Sequence, residues 1–366
     1  MASRACRRPG TTLHPIHHGR LLNALLATAT IVVTLLFGEI SIRLMGYRPW
    51  QERSPGRQGP VVFEPDSILG WRSLEGKFTF YADASGEPTT MTNWPNGFRA
   101  TSPATRPDGQ RKMRTLLFVG DSYTQGWGVS DWETFAWKIQ GELPDWEVLN
   151  LGTGGYGTYQ SLLSLERYYS RGRRADIVVY GFLAFHNERN AGTAEWFRTL
   201  AADSESGHVS LPYVSFGAND SLVYHPVTTY PQWPLARRLS IASAAQHAYA
   251  KLSLGSDDRF AELTKHLVQR MQSLASQHGS QFSVASLDLV RSTTALKNHG
   301  SEFRRMGMNL APCAQEHSPD KIVRGDGHPN GETHSAYAVC ILGALRKSAP
   351  RLFFDRMPSP IPWRHL

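Results

Sequence analysis

The chain has only three cysteines in 366 residues, Cys6, Cys313 and Cys340. It contains no CxxC pair and no HExxH, and its histidines do not fall at zinc-ligand spacing, so no structural metal is indicated. Charge is also scarce, at 19% of residues, and what excess there is lies at one end. Residues 1–60 hold eight Arg, no Lys and two Glu, which leaves only about +2 of the net +8 for the remaining 306 residues. No run of Lys or Arg interleaves with aromatics, so a phosphate-tracking surface is excluded and no nucleic-acid partner is expected. There is no internal repeat, which argues against a solenoid. With 41% hydrophobic and 11% aromatic residues the chain can bury a real core, and disordered and collagen-like classes drop out.

One long apolar run is present. From Leu21 to Gly38 the chain reads LLNALLATATIVVTLLFG without a charge, and its apolar character continues past Glu39 to Met45. At about 1.5 Å per residue these eighteen residues cover about 27 Å, close to the thickness of a bilayer's hydrocarbon. Arg4, Arg7, Arg8 and Arg20 precede the run with no acidic residue among them. The positive-inside rule then places the N-terminus in the cytoplasm and residues after about 45 outside, on the periplasmic side of a bacterial inner membrane. A cleavable signal peptide is the rival, since Ala27-Thr28-Ala29 resembles a cleavage site, but only six core residues precede it and the apolar run continues far beyond. A buried core helix would have to explain the one-sided Arg flank and apolar residues on every face. The expected division is a basic N-terminus at 1–20, an anchor at 21–45, a stalk with short strands at 46–112, an α/β domain at 113–350 and a tail at 351–366. Cys6 is then cytoplasmic, while Cys313 and Cys340 share the C-terminal region. These two can form one disulfide or stand as two buried thiols, and the sequence leaves both open.

Short strands are expected around Gly70-Trp71-Arg72 and Gly97-Phe98-Arg99. Beyond Arg114, apolar runs of strand length alternate with helical periodicity. Strands are expected at 115–119, 146–151, 176–181 and 282–287, with helices at about 132–139 (Asp131 as N-cap), 158–170, 260–274 and 333–346. Alternation with short connections predicts an open parallel sheet flanked by helices on both faces. Residues 191–250 interrupt it. There Leu211–Phe216 and Ser221–His225 flank Gly217-Ala218-Asn219-Asp220 as an inserted hairpin, placed to cover a site near the strand C-termini.

Ligand sites in open parallel sheets lie beyond the carboxyl ends of the strands, and three of those turns carry unusual polar residues. After the first strand, Gly120-Asp121-Ser122-Tyr123-Thr124 puts a serine hydroxyl on a tight turn beside backbone N–H groups, which suits a nucleophile and half an oxyanion hole. After the second, the glycines around Gly155 leave N–H groups unobstructed. After the third, Asn187 in Phe185-His186-Asn187-Glu188 can offer a side-chain N–H to the same oxygen. Near the C-terminus, Gly325-Asp326-Gly327-His328-Pro329-Asn330 sets a carboxylate beside an imidazole. His328 can take the serine proton while Asp326 fixes its tautomer. Asp121 reads as a brace for the loop and His186 as a hydrogen-bonding neighbour of the site. Arg189-Asn190 reads as a structural cap or a substrate contact. Trp127, Trp132 and Trp137 fit core positions better than a sugar or acyl pocket.

With these residues in place, the chain resembles the SGNH/GDSL-type hydrolases: Gly120-Asp121-Ser122 matches the serine block, Gly155 the glycine block, Asn187 the asparagine block and His328 the histidine block. The four blocks span residues 114–345 in the family's order. The resemblance implies a flavodoxin-like three-layer α/β sandwich with a parallel sheet, preceded here by the transmembrane helix. It implies a Ser122-His328-Asp326 acyl-enzyme mechanism without cofactor or metal, with Ser122, Gly155 and Asn187 forming the oxyanion hole. Two departures stand out. The family's asparagine block usually reads Gly-x-Asn-Asp, and the literal match here is Gly217-Ala218-Asn219-Asp220, which reads better as a hairpin turn. Should Asn187 not serve, Asn219 or His186 would supply the third donor. The family's Asp also usually precedes the His by three residues, where this chain has Gly325. The expected function is an extracytoplasmic serine esterase acting on an ester-bearing small molecule or an O-acylated glycan. The alternatives are an O-acyltransferase of an envelope or exported polysaccharide and a non-catalytic glycan-binding domain.

Overall fold

The computed structural model describes residues 16–50, 60–82, 86–103, 114–203, 209–253, 257–291 and 300–354. Arg4, Arg7, Arg8, Cys6 and most of the tail lie outside these. The chain divides into two compact units, one made of Met1–Glu52 with Gln232–Tyr249, the other of Arg53–Pro231 with Ala250–Leu366. The insert expected at 191–250 is therefore split, its hairpin belonging to the second unit and its later part to the first.

In the first unit, helix α1 (Ile16–Leu44) carries the apolar run. Gly19–Leu44 is long and apolar enough to cross a membrane, and none of it is buried. Leu22, Leu26, Val33 and Leu36 are exposed along it.

The second unit is mixed α/β. Before Arg114, β1 (Phe63–Asp66) and β2 (Gly70–Ser73) pair with each other. The next three strands, β3 (Gly76–Phe80), β4 (Thr89–Trp94) and β5 (Phe98–Arg99), extend the main sheet in antiparallel fashion, so this region is more than a stalk. The parallel strands are β6 (Arg114–Val119), β7 (Trp146–Asn150), β8 (Ile177–Phe182), β11 (Gln281–Ser286) and β13 (Asn309–Pro312). Across the eight-stranded sheet the order is β13-β11-β8-β6-β7-β5-β4-β3. Its parallel part is the flavodoxin-like order, with the switch point between β6 and β8.

Alternation along the strands feeds two cores, one on each face of the sheet. Leu117, Val119, Val178 and Tyr180 point to the face covered by α4 (Thr158–Ser170) and α8 (Asp257–Gln277), whose Leu162, Leu165, Leu263, Leu267 and Met271 are buried there. Leu116, Phe118, Ile177 and Val179 point to the other, under α3 (Phe135–Glu142) and the helix Gly331–Ser348. Cys313 and Cys340 are disulfide-bonded in this second core. The helix expected from about residue 132 starts later because Asp131 is not its N-cap: Thr134 is, accepting from the Trp137 N–H at 3.3 Å. Asp131 instead lies 3.1 Å from the fully buried Arg99 guanidinium and accepts the Thr92 N–H, which ties the antiparallel extension to the turn after β6. The hairpin of β9 (Ser210–Phe216) and β10 (Leu222–Thr229) forms as read, and packs on α4 and α8 through Tyr159 against Tyr224 and Arg270 over Tyr224.

Candidate active site

The site lies at the carboxyl end of β6, beside the switch point. Buried Val119 delivers the chain to Gly120, where a β-carbon would collide with the Thr124 hydroxyl, so the turn closes only around glycine. Asp121 then caps the short helix Ser122–Gln125, its Oδ1 accepting the Tyr123 N–H at 3.0 Å. Ser122 is thereby fixed at the carboxyl end of the sheet, 6% exposed.

His328 reaches it from the loop before the helix Gly331–Ser348. Its Nε2 lies 3.0 Å from Ser122 Oγ and its Nδ1 contacts Asp326 Oδ1. The same carboxylate oxygen accepts the His328 N–H at 3.2 Å, and Oδ2 accepts the Trp127 indole N–H at 3.3 Å. The two-residue spacing works because Gly325 and Gly327 both take left-handed φ, +87° and +91°, while Val323 N–H bonds to the His328 carbonyl and fixes the loop's base. Burial of Asp326 works against its ionised form, but the hydrogen bonds from His328 and Trp127 outweigh it and hold its pKa below the usual carboxylate value. A carboxylate at Nδ1 selects the tautomer whose Nε2 lone pair faces the serine O–H, which is the arrangement a general base needs.

Beneath Ser122 lies a second polar chain. Asp121 Oδ2 is 3.1 Å from Arg189 Nη1 and 3.2 Å from His186 Nε2. His186 Nδ1 pairs with the Tyr180 hydroxyl at 2.7 Å, and Tyr180 with Thr158 at 2.7 Å. Burial opposes ionisation of Asp121, but His186, Arg189 and the Tyr123 N–H outweigh it and lower its pKa. Burial pushes the pKa of His186 down. Asp121 ties the loop to the Tyr123 N–H and to Arg189, and His186 lies behind Ser122.

Three N–H donors face no acceptor among the described residues: the backbone groups of Ser122 and Gly155 and the side chain of half-buried Asn187. Around Gly155 the loop is tied down, Gly154 donating to Gln125 Oε1 at 3.0 Å and accepting from the Trp71 indole at 2.8 Å. Gly155 itself has φ +82°, and a side chain there would begin 3.0 Å from Trp71. Asn187 sits in the turn of helix His186–Asn190 that follows β8. Asn219 is in the exposed, left-handed turn between β9 and β10. Asn190 is structural: its carboxamide joins α5 (His186–Asn190) to α4 and α8 through Tyr159, Thr158 and Thr264.

Two further residues touch the site. Trp127 packs on the small core of Val62, Phe80 and Met91, as the core reading expects, but its indole N–H also donates to Asp326 and its ring stands 6.5 Å from His328. Arg189, read as a cap or substrate contact, anchors Asp121 and the Tyr156 carbonyl and is stacked between Phe185 and Trp196. Trp132 is exposed and Trp137 half-buried.

Among solved structures, the chain is similar to the crystal structure of TesA, with 14% identity over 64% of this chain and 99% of that one at a TM-score of 0.36. It is likewise similar to a putative lipolytic protein of the G-D-S-L family from Desulfitobacterium hafniense DCB-2, with 10% identity over 63% and 99% of the two chains and a TM-score of 0.36. A family two carbohydrate esterase from Clostridium thermocellum in complex with cellohexaose matches with 11% identity over 68% and 67%, again at 0.36. No known family profile and no curated protein matches the chain.

Proposed function

We propose that this chain is a serine ester hydrolase of the SGNH/GDSL type, held by α1 in a membrane with its catalytic unit on the extracytoplasmic side. The observation that carries the reading is the run of contacts from Ser122 Oγ to His328 Nε2 and from His328 Nδ1 to Asp326. His328 removes the Ser122 proton as Oγ bonds to the ester carbonyl carbon. The N–H groups of Ser122 and Gly155 and the Asn187 amide receive the oxyanion, each such donor contributing about 2.7–4 kcal/mol of transition-state stabilisation. The ester C–O bond then breaks, the alcohol leaving with the proton from His328, and a water deprotonated by His328 releases the acyl group. The substrate is an ester-bearing small molecule or an O-acylated glycan.

The test is hydrolysis of short-chain p-nitrophenyl esters by the full chain, with Ser122→Ala and His328→Ala as controls. Turnover lost in both variants supports the reading, and turnover surviving in Ser122→Ala contradicts it. Adding an oligosaccharide acceptor to the same assay distinguishes release of free acetate from acetyl transfer to a sugar hydroxyl, which an O-acyltransferase would perform from the same acyl-enzyme.

A further inference from the structure

The first unit joins two segments nearly two hundred residues apart, and the join sits at one end of α1. The Glu39 carboxylate accepts the N–H groups of Ser240 and Ile241, each at 2.8 Å, and so caps helix α7 (Ser240–Ser253). Arg43 binds Glu39 at 2.6 Å and the Arg238 carbonyl at 3.0 Å. The Trp50 N–H donates to the Ala236 carbonyl at 3.3 Å, and Ile241 Cδ1 lies 3.2 Å from where a side chain at Gly38 would begin. Gly38 is the last residue of the uncharged run, so this clamp marks the level at which α1 would leave the hydrocarbon. Glu39 is tolerable there because both its oxygens are hydrogen-bonded.

Around the clamp the surface is apolar where water would not favour it. Trp233 is 42% exposed, Leu235 57% and Tyr249 61%, and the rings of Trp233 and Tyr249 are 5.5 Å apart. Leu235 projects from a left-handed backbone, φ +66°, an unusual conformation for a branched apolar residue. Leu44 and Met45, at the end of α1, are more than four-fifths exposed. Arg48 and Arg238 are exposed among them. Trp and Tyr are the side chains that favour a membrane–water boundary, and guanidinium groups pair with lipid phosphates.

We propose that residues 232–249 form a foot lying in the phospholipid headgroup layer around the exit of α1, with Trp233, Leu235 and Tyr249 inserted toward the acyl chains and the arginines at the phosphates. This rests on the reading that α1 spans the membrane. The occupant is the bilayer surface itself, because the patch is continuous with the end of the apolar helix and fixed to it by Glu39 and Arg43. The foot makes the anchor more than a tether: it fixes the rotation and depth of the segment that α1 carries.

The test uses the full chain with Cys6→Ser, reconstituted in phosphatidylglycerol-containing nanodiscs, and nitroxide labels on single cysteines replacing Val33, Leu235, Tyr249 or Glu142. Power saturation compares collisions with lipid-soluble oxygen and water-soluble nickel chelate. The expected result is Val33 in the hydrocarbon, Leu235 and Tyr249 at headgroup depth with oxygen favoured over nickel, and Glu142 in water. Labels at Leu235 and Tyr249 as nickel-accessible as Glu142, with Val33 still in the hydrocarbon, would overturn the foot and leave the anchor standing, and would point to a protein partner for the patch. Val33 in water would overturn both.

Discussion

Asp326→Asn probes the point at which this chain departs most from the SGNH/GDSL pattern that it resembles. In the wild type, Oδ1 accepts from His328 Nδ1 and from the His328 N–H, while Oδ2 accepts from the Trp127 indole. An asparagine cannot satisfy all three. With its amide oxygen toward His328 it keeps the useful tautomer but loses the negative charge that stabilises the imidazolium, and its NH2 meets the indole N–H, donor against donor. Reversed, it satisfies Trp127 but donates to Nδ1 and turns the protonated Nε2 toward the serine, where it cannot act as base. Loss of the charge alone corresponds to about 2.7 kcal/mol and the wrong tautomer to about 5.5 kcal/mol, so kcat/KM should fall between about 10² and 10⁴-fold. Trp127→Phe removes one long, half-buried hydrogen bond and should cost about 1 kcal/mol, up to tenfold. The two changes should be less than additive, because phenylalanine relieves the donor conflict and lets the asparagine turn its oxygen to His328. A coupling of about 1 kcal/mol is expected in a cycle measured by p-nitrophenyl acetate hydrolysis, with unfolding temperatures as the control. An Asp326→Asn enzyme within threefold of wild type would refute the assigned role of Asp326.

Asn187→Ala should lower kcat by about 10² to 10³-fold with little change in KM, whereas Asn219→Ala should leave both unchanged; the reverse pattern in steady-state kinetics would reassign the third oxyanion donor. His334 is fully buried beneath α3, where burial first, then Lys138, Arg99 and His328, pushes its pKa down to about 3 while its Nδ1 accepts the Phe135 N–H. Because the unfolded histidine takes up its proton near pH 6.5, stability should fall by up to about 1.4 kcal/mol per unit as the pH drops from about 6.5 toward 3. His334→Asn, which keeps an acceptor for Phe135, should flatten that acid limb in urea titrations, and an unchanged slope would count against the buried neutral imidazole. The Cys313–Cys340 bond joins residues 27 positions apart and closes a loop that contains both Asp326 and His328. Replacing both cysteines by alanine should cost about 3–4 kcal/mol by loop entropy and lower kcat more than it raises KM, and equal activity at equal foldedness would show that the triad loop holds its own geometry.

How much of this was legible follows from where the determinants lie. Four of the five parallel strands and α4 could be read almost to the residue because buried β-branched and aromatic runs and a helical apolar stripe are local signals, whereas the short strand Asn309–Pro312 carries no such run and was not expected. The start of α3 was misplaced because Asp131 answers to Arg99, a partner on β5 that no window around residue 131 contains. The same reason hid β3, β4 and β5 as part of the main sheet: their pairing is set by distant strands. In the site, Ser122 stood out because it follows a buried strand and His328 because it precedes a helix, while Asp326 looked displaced until Gly325 and Gly327 were seen to bend the loop. What Trp127 and Arg189 touch was out of reach, since an aromatic near a helix and an arginine before an asparagine have many uses and only their contacts decide among them. The clamp between Glu39 and α7 joins residues two hundred positions apart, and no periodicity announces it.

The central claim is an activated Ser122. Its most direct measurement is labelling of the full chain in nanodiscs with a fluorophosphonate probe, beside Ser122→Ala and His328→Ala, with the modified peptide identified by mass spectrometry. The account predicts a single adduct on Ser122, absent from Ser122→Ala and strongly reduced in His328→Ala. A folded chain that takes no label, or takes it on another residue, would contradict the account.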